Sequence, residues 1–146
     1  MNKIKIRKAK KGDLKRIIKI FKTEYSKQPY DEHWSQKWAN QRVKKDFKNC
    51  DLFVLEVDEK VQGFLILRMH TWDVGPRGFI EEIVITAANQ GKGYGRELLL
   101  FAEKWFKKKG AKAIALIASP QAKAFNIYQK FGYKEEGLVS MSKKLI

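Results

Sequence analysis

The seven residues Gln90 to Arg96, Q-G-K-G-Y-G-R, carry the spacing in this chain that most directly suggests chemistry. Gly91, Gly93 and Gly95 alternate with Lys92 and Tyr94. Glycines without Cβ atoms let a backbone bend sharply and come close to a ligand. Before the turn, Ile80–Thr86 is apolar and β-branched apart from Glu81 and Glu82, which predicts a central strand. After it, Leu98, Leu99, Ala102, Trp105 and Phe106 fall on one helical stripe. A glycine turn that opens a helix presents free N–H groups and the positive end of the helix dipole, so it is an anion site, most often for phosphate. Lys92 adds a positive charge. The spacing excludes a Walker loop, which needs G-x-x-x-x-G-K-[ST], and the Rossmann fingerprint, whose third glycine would fall on Arg96.

Other reactive residue types offer less. Cys50 is the single cysteine, which excludes an internal disulfide framework and suits a reducing cytoplasm. With no evident partner it is expected to be inert. His33 and His70 lie far apart, and no metal-ligand spacing is seen. The net charge is +15, with lysines scattered through most segments. This is expected of a solvated lysine-rich surface; a nucleic-acid partner is left open and not favoured, because no helix-turn-helix, zinc or RNP signature is present.

The elements that must position the turn follow from periodicity. Lys3–Lys8 alternates Ile4 and Ile6 with lysines and predicts a half-buried strand. Asp13 is an expected N-cap for a helix carrying Leu14, Ile17, Ile18 and Phe21 to about Tyr25. Residues 26–32 form a loop. Trp34, Trp38, Val43 and Phe47 predict a second helix ending near Asn49. Trp38 is assigned to the core; Tyr30 and Trp34, beside a proline loop, are assigned to a substrate-pocket wall.

Leu52–Val57 and Val61–Leu67 predict a hairpin joined at Asp58-Glu59-Lys60, with Gly63 permitting a close approach or a bulge. Thr71–Gly78 is expected to be a loop. Gly110 stops the central helix, and Ala113–Ala118 predicts a short strand. Ser119-Pro120 reads as a helix start, followed by Ala124, Ile127, Tyr128 and Phe131 at helical spacing and a stop at Gly132. Leu138–Lys143 alternates weakly and predicts a last strand. The order implies an α+β fold: a mixed, mostly antiparallel central sheet with helices on both faces, in three α/β/α layers. At 146 residues one domain over residues 1–146 is expected. No run reaches the ~20 apolar residues that span a bilayer, and the lysine-rich N-terminus lacks a secretory h-region.

Two motifs now stand in order. Q-G-K-G-Y-G fits Q/R-x-x-G-x-G, and Ala124–Tyr133, AFNIYQKFGY, fits A-x-x-[LI]-Y-x-x-x-G-[FY]. Together they resemble the GNAT superfamily of acetyl-CoA-dependent N-acetyltransferases, and Ile6-Arg7, Asp13-Leu14 and Gly63 match its pattern elsewhere. Between Tyr25 and Asn49 the resemblance is loose. It implies a GNAT-like acyltransferase fold that uses acetyl-CoA and an amine acceptor, without a metal. Gln90, Gly91, Lys92, Gly93, Tyr94, Gly95 and Arg96 would hold the pyrophosphate. Backbone groups of Ile83, Val84 and Ile85 would pair with the pantetheine arm. Tyr128 would face the thioester and give a proton to the leaving thiolate. Many members carry Asn where this chain has Gln121, so a Gln121 contact to the cofactor is an expectation of the same kind.

Acetyl transfer to nitrogen also needs a base. A lysine-like amine has a pKa of ~10.4, so only about one molecule in a few thousand is neutral at pH 7. Glu81 and Glu82 are the candidates. Glu81 shares strand parity with Ile83 and Ile85 and so faces the cofactor if they do; Glu82 faces the other way unless a bulge shifts the register. Pairing with lysines is the ordinary alternative, favoured for Glu82. The acceptor stays open between small amines and protein lysines or N-termini, although the acidic residues Glu24, Asp31 and Glu32 would attract a cationic amine. A non-catalytic acyl-CoA-binding protein is the other reading of the same motifs. A cytoplasmic monomer or homodimer is expected.

Overall fold

The alternating and helical patterns become five strands and four helices in the computed structural model, which describes residues 2–146. In chain order these are β1 (Ile4–Lys8), α1 (Leu14–Tyr25), α2 (Gln36–Asn49), β2 (Asp51–Val57), β3 (Lys60–Trp72), β4 (Gly75–Ile85), α3 (Tyr94–Lys108), β5 (Ala113–Leu116) and α4 (Ala124–Lys130). The sheet order is β1-β2-β3-β4-β5. The first four strands are antiparallel neighbours, and β5 joins β4 in parallel. Among the described residues no helix is long and apolar enough to cross a membrane.

Alternation along the strands divides the core in two. Leu52, Val54, Phe64, Ile66 and Val84 face α1 and α2, where they bury Ile17, Phe21, Ala39 and Val43. Phe53, Leu55, Leu65, Leu67, Ile80 and Ile85 face α3 and meet Leu98, Leu99, Ala102 and Phe106, with Tyr128, Phe131 and Tyr133 packed alongside. This is the mixed, three-layer arrangement, with helices on both faces of the sheet, that the sequence implied.

Two irregularities in register matter for the site. At the β2–β3 pair, Leu55 faces Gly63 but Glu56 faces Val61, so Gln62 bulges. Gly63 is required there: a Cβ would lie 2.7 Å from the Val84 carbonyl oxygen. At the β3–β4 pair, Ile66 faces Glu82 and Leu67 faces Ile80, so Glu81 is the extra residue of a second bulge.

Several expectations fail for identifiable reasons. Thr71–Gly78 is not a loop: β3 and β4 run through it, joined by a two-residue turn at Asp73-Val74, and Gly75, at φ +118°, opens β4. Trp38 is not in the core; it is 53% exposed, because the buried stripe of α2 passes through Ala39 and Val43. Ser35 rather than Trp34 starts α2, its Oγ accepting from the Trp38 N–H at 3.2 Å. Asp13 stands at the N-cap of α1 but bonds to the Lys10 N–H and to Arg7 instead. The last helix starts at Ala124, not at Ser119-Pro120, because Ser119 closes a local turn with Ala122. Leu138–Lys143 forms no strand: it pairs with none of the five strands of the sheet, and alternation alone does not make a ladder.

Candidate active site

The glycine turn lies at the C-terminal end of β4. Gly91 and Gly93 take φ of +75° and +86°, the left-handed region that favours glycine, and α3 begins at Tyr94. The first bond into that helix runs from the Glu97 N–H to the Gly93 carbonyl, 3.1 Å. The N–H groups of Tyr94, Gly95 and Arg96 therefore open toward solvent at the positive end of the helix dipole. The exposed side chains of Lys92 and Arg96 add charge.

Not every residue of this turn offers its side chain. Gln90 Nε2 donates to the Ile85 carbonyl at 2.8 Å, tying the turn to the strand. Tyr94 is buried in the α3-side core, so only its backbone faces outward. Arg96 lies over the Phe131 ring, 5.5 Å from its centroid, and links the start of α3 to the end of α4. Gln121 is exposed, and its Oε1 accepts from Ser119 Oγ at 2.9 Å.

Beside the turn, β4 has an open edge. It pairs with β5 only over Arg77–Ile80. The Thr86 N–H bonds to the Gln62 carbonyl of β3 at 2.9 Å. With a period of two, Val84 directs its backbone to β3 as well, while Ile83 and Ile85 direct theirs to the open side. An extended chain lying there would find Ile83 and the Ile85 N–H; Val84 is spent inside the sheet. An open strand edge leading into a fan of helix N–H groups with two cations suits a narrow, extended ligand that ends in a diphosphate, as the coenzyme A arm does.

The other half is a cluster around Glu82. The bulge changes the parity argument made from the sequence. Ile83 and Ile85 face α3, whereas Glu82 faces α1 and α2. Glu81 does not share the face of Ile83; it turns into a cleft of about 370 Å³ lined by Arg42, Asp46, Cys50 and Arg68, and pairs with Arg68. Glu82 pairs with no lysine. Its Oε1 accepts from the Tyr25 hydroxyl, and its Oε2 accepts from Arg42 Nη2 at 3.0 Å.

The Glu82 side chain is 11% exposed. Burial pushes its carboxyl up to about 7, against the Tyr25 hydrogen bond and the Arg42 charge, which pull it down. Hydrogen bonds to charged groups are worth about 1.5–3 kcal/mol each; burial outweighs both. Tyr25, edge-to-face with Phe21 and Tyr30 at 5.0 Å each, is itself raised well above its ordinary value by burial and then by Glu82.

Tyr30 and Tyr128 complete the cluster. Tyr128 comes from α4 on the α3 side, yet it lies close enough to Tyr30 and Glu82 for both to act on its hydroxyl. Burial is the largest cause raising that hydroxyl far above its ordinary value. Tyr30 is raised by burial and then by Glu82. Trp34 sits one step back: it packs edge-to-face on Phe21 at 4.9 Å and lies under Arg42, 5.8 Å from the guanidinium. Groups from both faces of the sheet thus influence one another electrostatically. The sequence reading missed Tyr25 and Arg42 as site residues. Tyr25 was visible only as an aromatic at the end of α1, and nothing local marked Arg42. Among the described residues, no group of three or more His, Cys, Asp or Glu side chains is placed to hold a metal ion.

The comparisons with known proteins point the same way. The fold superposes on a possible acetyltransferase from Clostridium difficile 630 with a TM-score of 0.83, at 17% identity over 98% of each chain. It superposes on a transcriptional regulator from Bacillus halodurans C-125 with a TM-score of 0.79, at 22% identity over 98% of this chain and 100% of that one. It also superposes on the aminoglycoside N-acetyltransferase AAC(6')-Iy in complex with CoA, with a TM-score of 0.77, at 19% identity over 100% of this chain and 97% of that one. A search of curated protein sequences returns no match. The model of the Acetyltransferase (GNAT) family matches residues 14–133, from the start of α1 through the Gly132 stop after α4, and this chain belongs to that family.

Proposed function

We propose that this protein moves an acetyl group from acetyl-CoA to a primary amine by direct attack in a ternary complex. The observation that carries the reading is Glu82: a nearly enclosed carboxyl, pushed up to about 7, gripped by Tyr25 and Arg42 beside the open edge of β4. A base is most effective when its pKa lies near the working pH. Glu82 takes a proton from the incoming ammonium. The amine nitrogen then bonds to the thioester carbon, loses its second proton to solvent, and the carbon–sulfur bond breaks. Tyr128, whose hydroxyl burial keeps protonated, gives its proton to the departing sulfur. An N–H on the open edge of β4 steadies the developing oxyanion.

The coenzyme lies along Ile83 and Ile85 with its pyrophosphate at the N–H groups of residues 94–96, between Lys92 and Arg96. The acceptor enters past Tyr30. Glu32, held by the Trp34 indole N–H at 2.7 Å, and Asp31 draw a cation toward that side of a basic protein. One of the structures sharing this fold holds AAC(6')-Iy with a bisubstrate analogue, CoA-S-monomethyl-acetylneamine, which supports a small amine as acceptor. The lone, half-buried Cys50 suits action in a reducing cytoplasm.

The test is a thiol-release assay with acetyl-CoA and a panel of polyamines, amino sugars and lysine peptides. Release of coenzyme A thiol that depends on one amine class supports the reading. Tight acetyl-CoA binding with no release for any amine would make the protein a non-catalytic acyl-CoA binder.

A further inference from the structure

The fold gathers lysines that are scattered in the sequence onto one layer. Helices α1 and α2 pack together on one face of the sheet, and Lys22 Nζ donates to Gln36 Oε1 between them at 3.0 Å. On α2, Lys37, Lys44 and Lys48 are exposed and form a single stripe about 16 Å long on the outward face. Lys45 lies beside that stripe, and Lys15 and Lys19 of α1 also face solvent.

The acids of the same two helices are turned inward. Glu24 accepts from the Ala87 N–H and from Gln90, and Asp46 pairs with Arg42 at 3.3 Å. Both carboxylates are mostly enclosed. Among the described residues the lysine ion pairs are Lys8–Asp51 and Lys27–Glu24, so the outward ammonium groups of α2 meet no carboxylate. Lys44 and Lys48, four residues apart, repel each other with nothing to offset it. The layer on the other face differs, because α3 mixes Glu97 and Glu103 with its lysines.

Trp38 stands at the edge of this stripe. It is 53% exposed, and Lys37 Nζ lies 4.9 Å from its ring centroid. An indole so placed adds little to the core. A flat aromatic beside a row of ammonium groups suits a chain that carries both phosphates and unstacked bases. An acidic peptide would use the lysines and leave the indole idle. A duplex keeps its bases stacked inside, out of reach of a ring on a convex helix face.

We propose that the outer face of α2 binds single-stranded nucleic acid, with Lys37, Lys44 and Lys48 holding successive phosphates and Trp38 stacking on a base. The glycine turn opens α3, which packs on the opposite face of the sheet, so nucleic acid and coenzyme occupy separate surfaces.

Fluorescence anisotropy of a labelled oligouridylate, titrated with the full chain at several salt concentrations, tests this. Replacing Lys37, Lys44 and Lys48 together by Gln should weaken binding roughly tenfold or more and flatten the salt slope by about 2, at ~0.7 per phosphate contact. The matched triple Lys104→Gln, Lys107→Gln and Lys108→Gln removes the same charge from α3 and should cost only about twofold. Trp38→Ala should weaken oligouridylate binding about tenfold and leave heparin, a polyanion without bases, unaffected. Saturating coenzyme A should displace no oligouridylate. Equal losses from the two lysine triples would reduce the binding to net charge and overturn the proposal. So would a Trp38→Ala chain that binds oligouridylate as the wild type does, displacement by coenzyme A, or polyglutamate binding as tight as oligouridylate, which would assign the face to an acidic protein.

Discussion

The Tyr25 hydroxyl donates to Oε1 of Glu82 across 57 residues of sequence, and Arg42 takes the other carboxylate oxygen. The carboxyl is thereby aimed as well as buried. Both partners favour the charged form while the surrounding protein disfavours it, and the balance leaves Glu82 near neutrality.

The first prediction removes one side of that balance. Tyr25→Phe deletes a hydrogen bond that lowers the Glu82 value, and Arg42→Gln deletes a positive charge with the same effect. Glu82 must lose its proton to act as a base, so activity rises as pH rises through its pKa. Either substitution should move the acid limb of kcat/KM upward, by about one pH unit or more. A steady-state pH profile checks this; an unmoved limb would leave both residues with a purely structural role.

Tyr128 is the second target. Burial raises its hydroxyl, so it keeps its proton throughout the working range and causes no alkaline loss near pH 10. Tyr128→Phe should lower kcat at least tenfold, within the ~10²–10⁴ range typical of acid–base groups or just below it. Acetyl-CoA affinity should change little. Single-turnover rates with calorimetric titration separate the two effects, and an unchanged kcat would remove Tyr128 from the chemistry.

The third prediction concerns the turn. A Cβ at Gly93 meets no protein atom within 4 Å, but φ is +86°. Gly93→Val therefore costs about 1–3 kcal/mol of backbone strain without a clash, and should leave a folded protein that no longer binds acetyl-CoA. Gly12→Ala, outside the turn and with open space around it, is the control and should bind close to wild type. Calorimetry showing wild-type affinity for Gly93→Val would refute the turn as the coenzyme site.

How far the sequence reached depends on the range of the interaction. Stripes such as Leu98, Leu99, Ala102 and Phe106 are local and were readable, as was the glycine turn. The Glu81–Glu82 assignment turned on the bulge at Glu81, which is a property of the β3–β4 pair and not of β4 alone. Simple alternation therefore placed Glu81 on the wrong face. Arg42 reaches Glu82 from a helix 40 residues away, and no local pattern encodes that contact. Trp38 failed because an apolar residue near a helix start fixes no face until the buried stripe is known. Leu138–Lys143 alternates as a strand would, but a strand also needs a hydrogen-bonded neighbour, which alternation does not encode.

The central claim is that Glu82 is the base. The most direct measurement is the pH dependence of kcat/KM for wild type and Glu82→Gln, with acetyl-CoA and the best amine of the panel. The account predicts a wild-type acid limb near pH 7, absent in Glu82→Gln, with the rate at high pH lower by about 10²-fold or more. Glu81→Gln, its carboxylate turned toward Arg68, should keep the limb. A limb that survives in Glu82→Gln and disappears in Glu81→Gln would contradict the account.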